Sequence, residues 1–244
     1  MAPGFHAQPP PPPTRLLIAD DHQLAREGLR DMLADEPDIE VVGEAQDGLG
    51  AVEACGELRP NLVLMDVRMP RMDGLEATRE LKRVHPGIAV LMMTMHESPD
   101  YLLEALRAGA AGYVLKDAPQ EEVIEAVRQV RRGESPLDQE LAARLLRRLA
   151  AEANPSVGTD ATGGHEGFRG AEPSRLLEVL TRRELEVLGL LKLGLTNPQV
   201  AQELFISPGT AKNHVEHIIQ KLGVSDRTQA VVRALELGLL KLSP

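Results

Sequence analysis

"LLIADDHQLAREGL", residues 16–29, runs from an apolar stretch into two adjacent aspartates and then into a helical pattern. Leu16, Leu17, Ile18 and Ala19 form the stretch, which stops at Asp20 and Asp21. Two carboxylates about 4 Å apart repel by roughly 4 kcal/mol at an effective dielectric near 20. Placing both at the end of a strand calls for something that makes the repulsion worthwhile.

The same alternation continues downstream. Apolar runs predict strands over 15–20, 40–45 ("EVVGEA"), 61–66 ("NLVLMD"), 88–94 ("IAVLMMT") and 111–115 ("AGYVL"). Helical periodicity fills the intervals near 23–35, 47–57, 75–84, 98–107 and 119–132. Near-continuously apolar strands, each followed by a helix, imply an α/β fold: a doubly wound (βα)5 parallel sheet covered on both faces. In such a sheet all carboxyl ends lie on one edge, where ligands bind. That edge collects Asp20 and Asp21 from the first strand, Asp66 from the third, Thr94 from the fourth and Lys116 from the fifth. Three carboxylates beside one another are unfavourable, and a hard cation removes the conflict. Oxygen donors with room for water suit Mg²⁺.

Composition sets the boundaries. Hydrophobic residues make up 43% of the 244, with no Trp, so the core is aliphatic. No apolar stretch reaches the roughly 18 residues that a membrane helix needs. "MAPGFHAQPPPPP" lacks a basic segment followed by an apolar one, and Cys55 stands alone, so the expected location is the cytoplasm, without disulfides. Residues 174–244 carry nine Lys and Arg against seven Asp and Glu, which leaves −12 of the total −10 on residues 1–173. Only the back of the chain suits a polyanion.

The expected division is a disordered proline-rich tail over 1–13, an α/β domain over 14–134, a linker over 135–173 and a helical domain over 174–244. Within the linker, 137–152 reads as an amphipathic helix followed by a Gly- and Ser-rich flexible segment. In the helical domain, Thr181 and Glu184 match a capping box, while Asn197-Pro198, Ser207-Pro208 and Ser225 read as further helix starts.

"ADDH" at 19–22, "LMDVRMPRMDG" at 64–74, "MMT" at 92–94 and "GYVLK" at 112–116 together resemble the receiver domain of two-component response regulators, a flavodoxin-like or CheY-like fold. The resemblance implies that Asp66 accepts a phosphoryl group from a histidine kinase. It also implies that Asp21, Asp66 and the backbone carbonyl of Arg68 ligate Mg²⁺ directly, Asp20 acting through water. Lys116 and Thr94 would hold phosphoryl oxygens, and Tyr113 would be the aromatic whose orientation follows Thr94. The sequence departs from many receivers in having Lys116-Asp117 rather than Lys-Pro, so a cis bond is not expected there.

Residues 178–240 resemble the helix-turn-helix domain of NarL/LuxR-type regulators, through "LTRRELEVL", "GLTNPQVAQELFIS" and "GTAKNHVEHIIQKLGVSDRTQA". With the receiver, this identifies the chain as similar to NarL/FixJ-type response regulators, with an all-α four-helix domain. In the helix 208–222, Ala211, Val215, Ile218 and Leu222 fall on one face, leaving Gly209, Lys212, Asn213, Glu216 and Gln220 outward. Thr210, Lys212, Asn213 and Glu216 are thus the expected residues at double-stranded DNA, Lys212 for phosphate or base and Asn213 for adenine. Ala211 stands where Val is usual and Arg182 where Pro is common. Ala230, Val231, Ala234 and Leu235 offer either a dimer face, as the family implies, or packing within one chain.

The expected activity is phosphorylation-controlled DNA binding, as a homodimer when phosphorylated, with no membrane partner and no enzymatic turnover of outside substrates. Two alternatives come from other classes: a constitutive DNA binder with a receiver used as scaffold, and an Mg²⁺-dependent phosphohydrolase. The second lacks a general acid, since Arg68 stands where aspartyl phosphatases carry their second Asp.

Overall fold

A computed structural model describes residues 12–95, 99–134, 136 and 180–240. The tail up to residue 11, the helix expected over 137–152 and the segment after it lie outside the described residues. Five strands alternate with five helices: β1 (Thr14–Ala19), α1 (Gln23–Ala34), β2 (Ile39–Ala45), α2 (Gly48–Leu58), β3 (Leu62–Asp66), α3 (Gly74–Val84), β4 (Ala89–Thr94), α4 (Pro99–Ala108), β5 (Gly112–Leu115) and α5 (Gln120–Arg131). All pairings are parallel, in the order β2-β1-β3-β4-β5.

Two-residue periodicity splits the sheet's side chains between two cores. Leu17, Ala19, Val63, Met65, Val90 and Met92 face α2, α3 and α4, meeting Cys55, Leu81 and Ala105. Leu16, Ile18, Leu64, Leu91 and Met93 face α1 and α5, meeting Leu33, Val123 and Val127. Both faces are covered, which is why the strands read as unbroken apolar runs. The order 2-1-3-4-5 puts the switch point between β1 and β3, where a crevice opens at the carboxyl ends.

The helical unit has α6 (Arg182–Leu191), α7 (Asn197–Leu204), α8 (Pro208–Leu222) and α9 (Arg227–Glu236). Thr181 caps α6 as expected: its hydroxyl accepts the Glu184 N–H at 3.2 Å, and Glu184 takes the Thr181 N–H at 2.7 Å. Buried Glu184 also takes Lys221 Nζ at 2.7 Å, tying α6 to α8. Two expected caps move by one residue. Thr196, not Asn197, precedes α7, and Gln199 takes its N–H at 2.7 Å. Asp226, not Ser225, caps α9 by accepting the Gln229 N–H at 2.9 Å. Ala230, Val231, Ala234 and Leu235 lie inside this unit's own core with Val187, Leu188 and Ile218, as in the second of the two expectations, packing within one chain. A bundle this small needs every apolar side chain of its last helix to close its core.

The helical unit docks on the α3–α4 side of the sheet domain. The Gln229 amide donates to the carbonyls of Leu106 at 3.1 Å and Ala110 at 2.7 Å. Lys82 Nζ donates to the Ile88 carbonyl at 2.5 Å and to Ser225 Oγ at 2.6 Å. Burial pulls the Lys82 ammonium down to about 8, opposed by the nearby Asp226 charge.

Gly74 opens α3 where a Cβ would overlap the Asp66 carbonyl. Gly74→Ala is therefore expected to cost about 2 kcal/mol or more, because a backbone atom rather than a flexible side chain must give way. Chemical denaturation of the two proteins measures the difference.

Candidate functional site

Asp20 follows the last residue of β1 and Asp66 ends β3, so the two flank the switch point. Lys116, one residue past β5, extends the ladder by donating its N–H to the Thr94 carbonyl at 2.8 Å. Its ammonium reaches across both carboxylates: Nζ lies 2.6 Å from Asp20 Oδ2 and 2.9 Å from Asp66 Oδ2. Asp20 is wholly buried and Asp66 almost so. That Asp20 oxygen has the ammonium as its charge partner but accepts no well-aligned hydrogen bond. Its second oxygen accepts the His22 N–H at 2.9 Å.

Burial pushes the Asp66 carboxyl above its ordinary value. Lys116 and the Arg68 backbone N–H, both hydrogen-bonded to it, pull the other way, and the Asp20 charge adds to the rise. Burial also works against the Lys116 ammonium, yet its contacts to Asp20 and Asp66 outweigh this and hold it above its ordinary range.

Asp21 is more exposed and turns to His22, whose Nδ1 lies 2.7 Å from Asp21 Oδ1. One ligand atom from each of Asp20, Asp21 and His22 falls within 4.8 Å of the others. A divalent cation fits the donor chemistry. Buried Asp20 offers an oxygen with incomplete hydrogen bonding, Asp66 and the backbone carbonyl of Arg68 are also oxygen donors, and the single Lys116 ammonium is shared between the two carboxylates.

A cavity of about 210 Å³ opens over Asp66, lined among others by His22, Arg68, Thr94, Tyr101 and Lys116. Of the expected residues, Asp66, Arg68, Thr94 and Lys116 line it together, and Asp20 joins them through Lys116. Tyr113 lies behind Thr94 instead. There it borders a second cavity of about 10 Å³ with Met92, Thr94, Tyr101, Leu102 and Ala105. The described residues contain no cis peptide bond.

Sequence reasoning missed four side chains here: His22 beside the carboxylates, Tyr101 with its hydroxyl 3.3 Å from the Arg68 guanidinium, and Asp47 with its partner Arg71. "ADDH" contained a signal for His22, a metal-type donor next to paired carboxylates. For the others none existed, since each meets its partner only through tertiary packing.

On α8, Ala211, Val215 and Ile218 are buried, and Lys212, Asn213, Glu216 and Gln220 are exposed. Thr210 is exposed at the helix start, its hydroxyl 2.8 Å from that of the cap Ser207. Lys212 Nζ lies 3.7 Å from Glu216, so the acid partly offsets the base on this face.

The comparisons with known proteins agree with this geometry. Residues 16–128 match the family described as response regulator receiver domain, and residues 178–234 match that of bacterial regulatory proteins, luxR family. Over 227 residues the chain is 39% identical to the transcriptional regulatory protein DegU of Brevibacillus brevis, covering 93% of this chain and 95% of that one. It is 40% identical over 220 residues to the transcriptional regulatory protein LiaR of Bacillus subtilis (strain 168), covering 90% and 96%. A crystal structure of a LuxR-family two-component response regulator from Aurantimonas sp. SI85-9A1 superposes with a TM-score of 0.52 at 32% identity, over 56% of this chain and 97% of that one. The chain belongs to the two-component response regulators that join a receiver to a LuxR-type helix-turn-helix domain. The relatives are named as transcriptional regulators, not as enzymes.

Removing the ammonium tests the electrostatics. Lys116→Met leaves two buried carboxylates unpaired, which should cost about 3–5 kcal/mol at neutral pH. An acid whose folded-state value is raised favours folding most when protonated, and that contribution is lost as pH rises through its folded value. The melting-temperature deficit of the variant should therefore narrow as pH falls from about 7.5 to about 5.

Proposed function

We propose that this chain is a cytoplasmic transcription regulator switched by phosphorylation of Asp66, with a histidine kinase as phosphoryl donor, Mg²⁺ as cofactor and double-stranded DNA as target. The observation that carries the reading is the junction of Asp20, Asp66 and Lys116 at the switch point, in a chain that also carries a helix-turn-helix. An Asp66 oxygen attacks the phosphorus of a phosphohistidine in line. The O–P bond forms as the P–N bond breaks, and the kinase imidazole leaves with the electron pair.

Asp21, Asp66 and the Arg68 carbonyl would hold Mg²⁺ directly, with Asp20 acting through water; when bound, the ion offsets the charge that repels the incoming group. Lys116 exchanges its Asp66 contact for a phosphoryl oxygen, and Thr94 donates its hydroxyl to another. Arg68 occupies the position where aspartyl phosphatases carry their second Asp, so no carboxylic acid stands there to protonate a leaving group, which disfavours turnover on outside phosphoesters.

The route from Asp66 to the helical unit runs through α4. If Tyr113 follows Thr94 toward the phosphoryl group, its ring must enter a cavity of about 10 Å³, room for one water at most. Tyr101, Leu102 and Ala105 of α4 wall that cavity, so α4 has to move. The end of α4 and the turn after it carry the two carbonyls that hold Gln229. Their displacement releases α9, whose freed side is available to a second copy. Two linked helical units then bind paired half-sites through effective concentration, which a domain of net charge +2 needs. Thr210, Lys212, Asn213 and Glu216 face the DNA, and the Lys212–Glu216 pair favours selectivity over affinity.

Labelled acetyl phosphate with Mg²⁺ should give an acid-labile phosphoryl label that Asp66→Asn abolishes; a label retained in that variant removes the acceptor from the account. In gel shifts on a target promoter, phosphorylation should tighten binding about tenfold. Gln229→Ala should bring the unphosphorylated chain toward the same affinity, and equal affinity of the wild type in both states would sink the switch.

A further inference from the structure

The loop between β3 and α3 carries the Arg68 peptide and is fastened to a part of the chain that contributes nothing else to the site. Its centre is a γ-turn in which the Met72 N–H donates to the Pro70 carbonyl at 2.7 Å, with Arg71 at φ 65°. Gamma-turns of positive φ are rare and strained, and a residue with a side chain persists there only when its surroundings hold it. Two contacts do so. The Arg71 guanidinium donates to Asp47 Oδ2 through Nε at 2.8 Å and also through its terminal nitrogen. The Met72 carbonyl accepts the Gly48 N–H at 3.1 Å.

Asp47 is well suited to anchor the loop. It is 2% exposed, and its other oxygen accepts the Gly50 N–H at 2.9 Å as the cap of α2, so its orientation is set before Arg71 arrives. The loop's two ends are also pinned, by the Val67 N–H to the Met93 carbonyl at 3.1 Å and the Gly74 N–H to the Val67 carbonyl at 3.0 Å. Between these points the Arg68 N–H donates to the Asp66 carboxylate, which directs one side of that peptide.

We infer that Asp47 and Arg71 are positioning residues, an ion pair with two hydrogen bonds to one carboxylate oxygen that holds the strained turn and thereby sets where the Arg68 peptide meets Asp66 and a bound divalent cation. The inference rests on the reading of the pocket as a phosphoryl-acceptor site with Mg²⁺. Asp47 and Arg71 touch neither phosphoryl group nor metal. They act through the loop, as partners behind metal ligands do when they fix ligand orientation.

The test is a titration of the full-length chain with Mg²⁺, followed by NMR shifts or calorimetry, alongside melting temperatures in EDTA. Asp47→Asn keeps a cap acceptor for Gly50 and removes the charge. Arg71→Ala removes the tether and leaves the strained turn unheld, at a side chain exposed enough for the fold to survive. Each should weaken Mg²⁺ binding about tenfold. The double variant should be no weaker than either single one, and Arg71→Lys should recover part of the loss. Affinities within twofold of wild type in the folded variants, or losses that multiply in the double variant, overturn the pairing. Failure of the underlying reading looks different: the wild type itself would show no saturable Mg²⁺ response, or Asp66→Asn would bind as well as wild type.

Discussion

One ammonium group holds the functional end of the sheet together. Lys116 sits between two buried carboxylates that would otherwise repel each other across the switch point, and its ammonium contacts both. This arrangement keeps acidic oxygens at the crevice, where the proposed divalent ion and phosphoryl group would compete for them. The site is charged for exchange: any group that draws Lys116 away from Asp66 must bring negative charge, and a phosphoryl group does.

Around that contact, packing links the pocket to the surface where the helical unit docks. Thr94 is shared by the acceptor cavity and the small cavity behind it, and α4 supplies much of the second cavity's wall. The same stretch of chain offers its carbonyls to Gln229. Close packing makes such a wall bistable rather than elastic, because a ring that enters displaces a helix as a body. The outward face of α8 remains exposed while α9 is docked.

The β3–α3 loop contrasts with α4: a strained turn there is held by an anchor from the β2–α2 corner. In the proposed switch this loop belongs to the part of the pocket that binds, and α4 to the part that reports.

Much of this was legible in the order of residues. Apolar runs ending in Asp20, Asp66, Thr94 and Lys116 specify parallel strands and a polar edge, because strand burial is a local pattern and a parallel sheet aligns all carboxyl ends. The outward face of α8 followed from helical spacing in the same way. Cap positions were legible to within one residue, since Thr196 and Asn197, or Ser225 and Asp226, are equally good caps and only backbone geometry chooses between them. Tertiary structure alone decided the rest. Arg71 finds Asp47 across 24 residues, Arg68 finds Tyr101 across 33, and Gln229 finds Leu106 across 123. It also decided that Ala230, Val231, Ala234 and Leu235 pack into the helical unit's core. Local sequence determines which face of an element is apolar; what that face meets depends on how elements pack, and no spacing along the chain encodes a contact between two folded units.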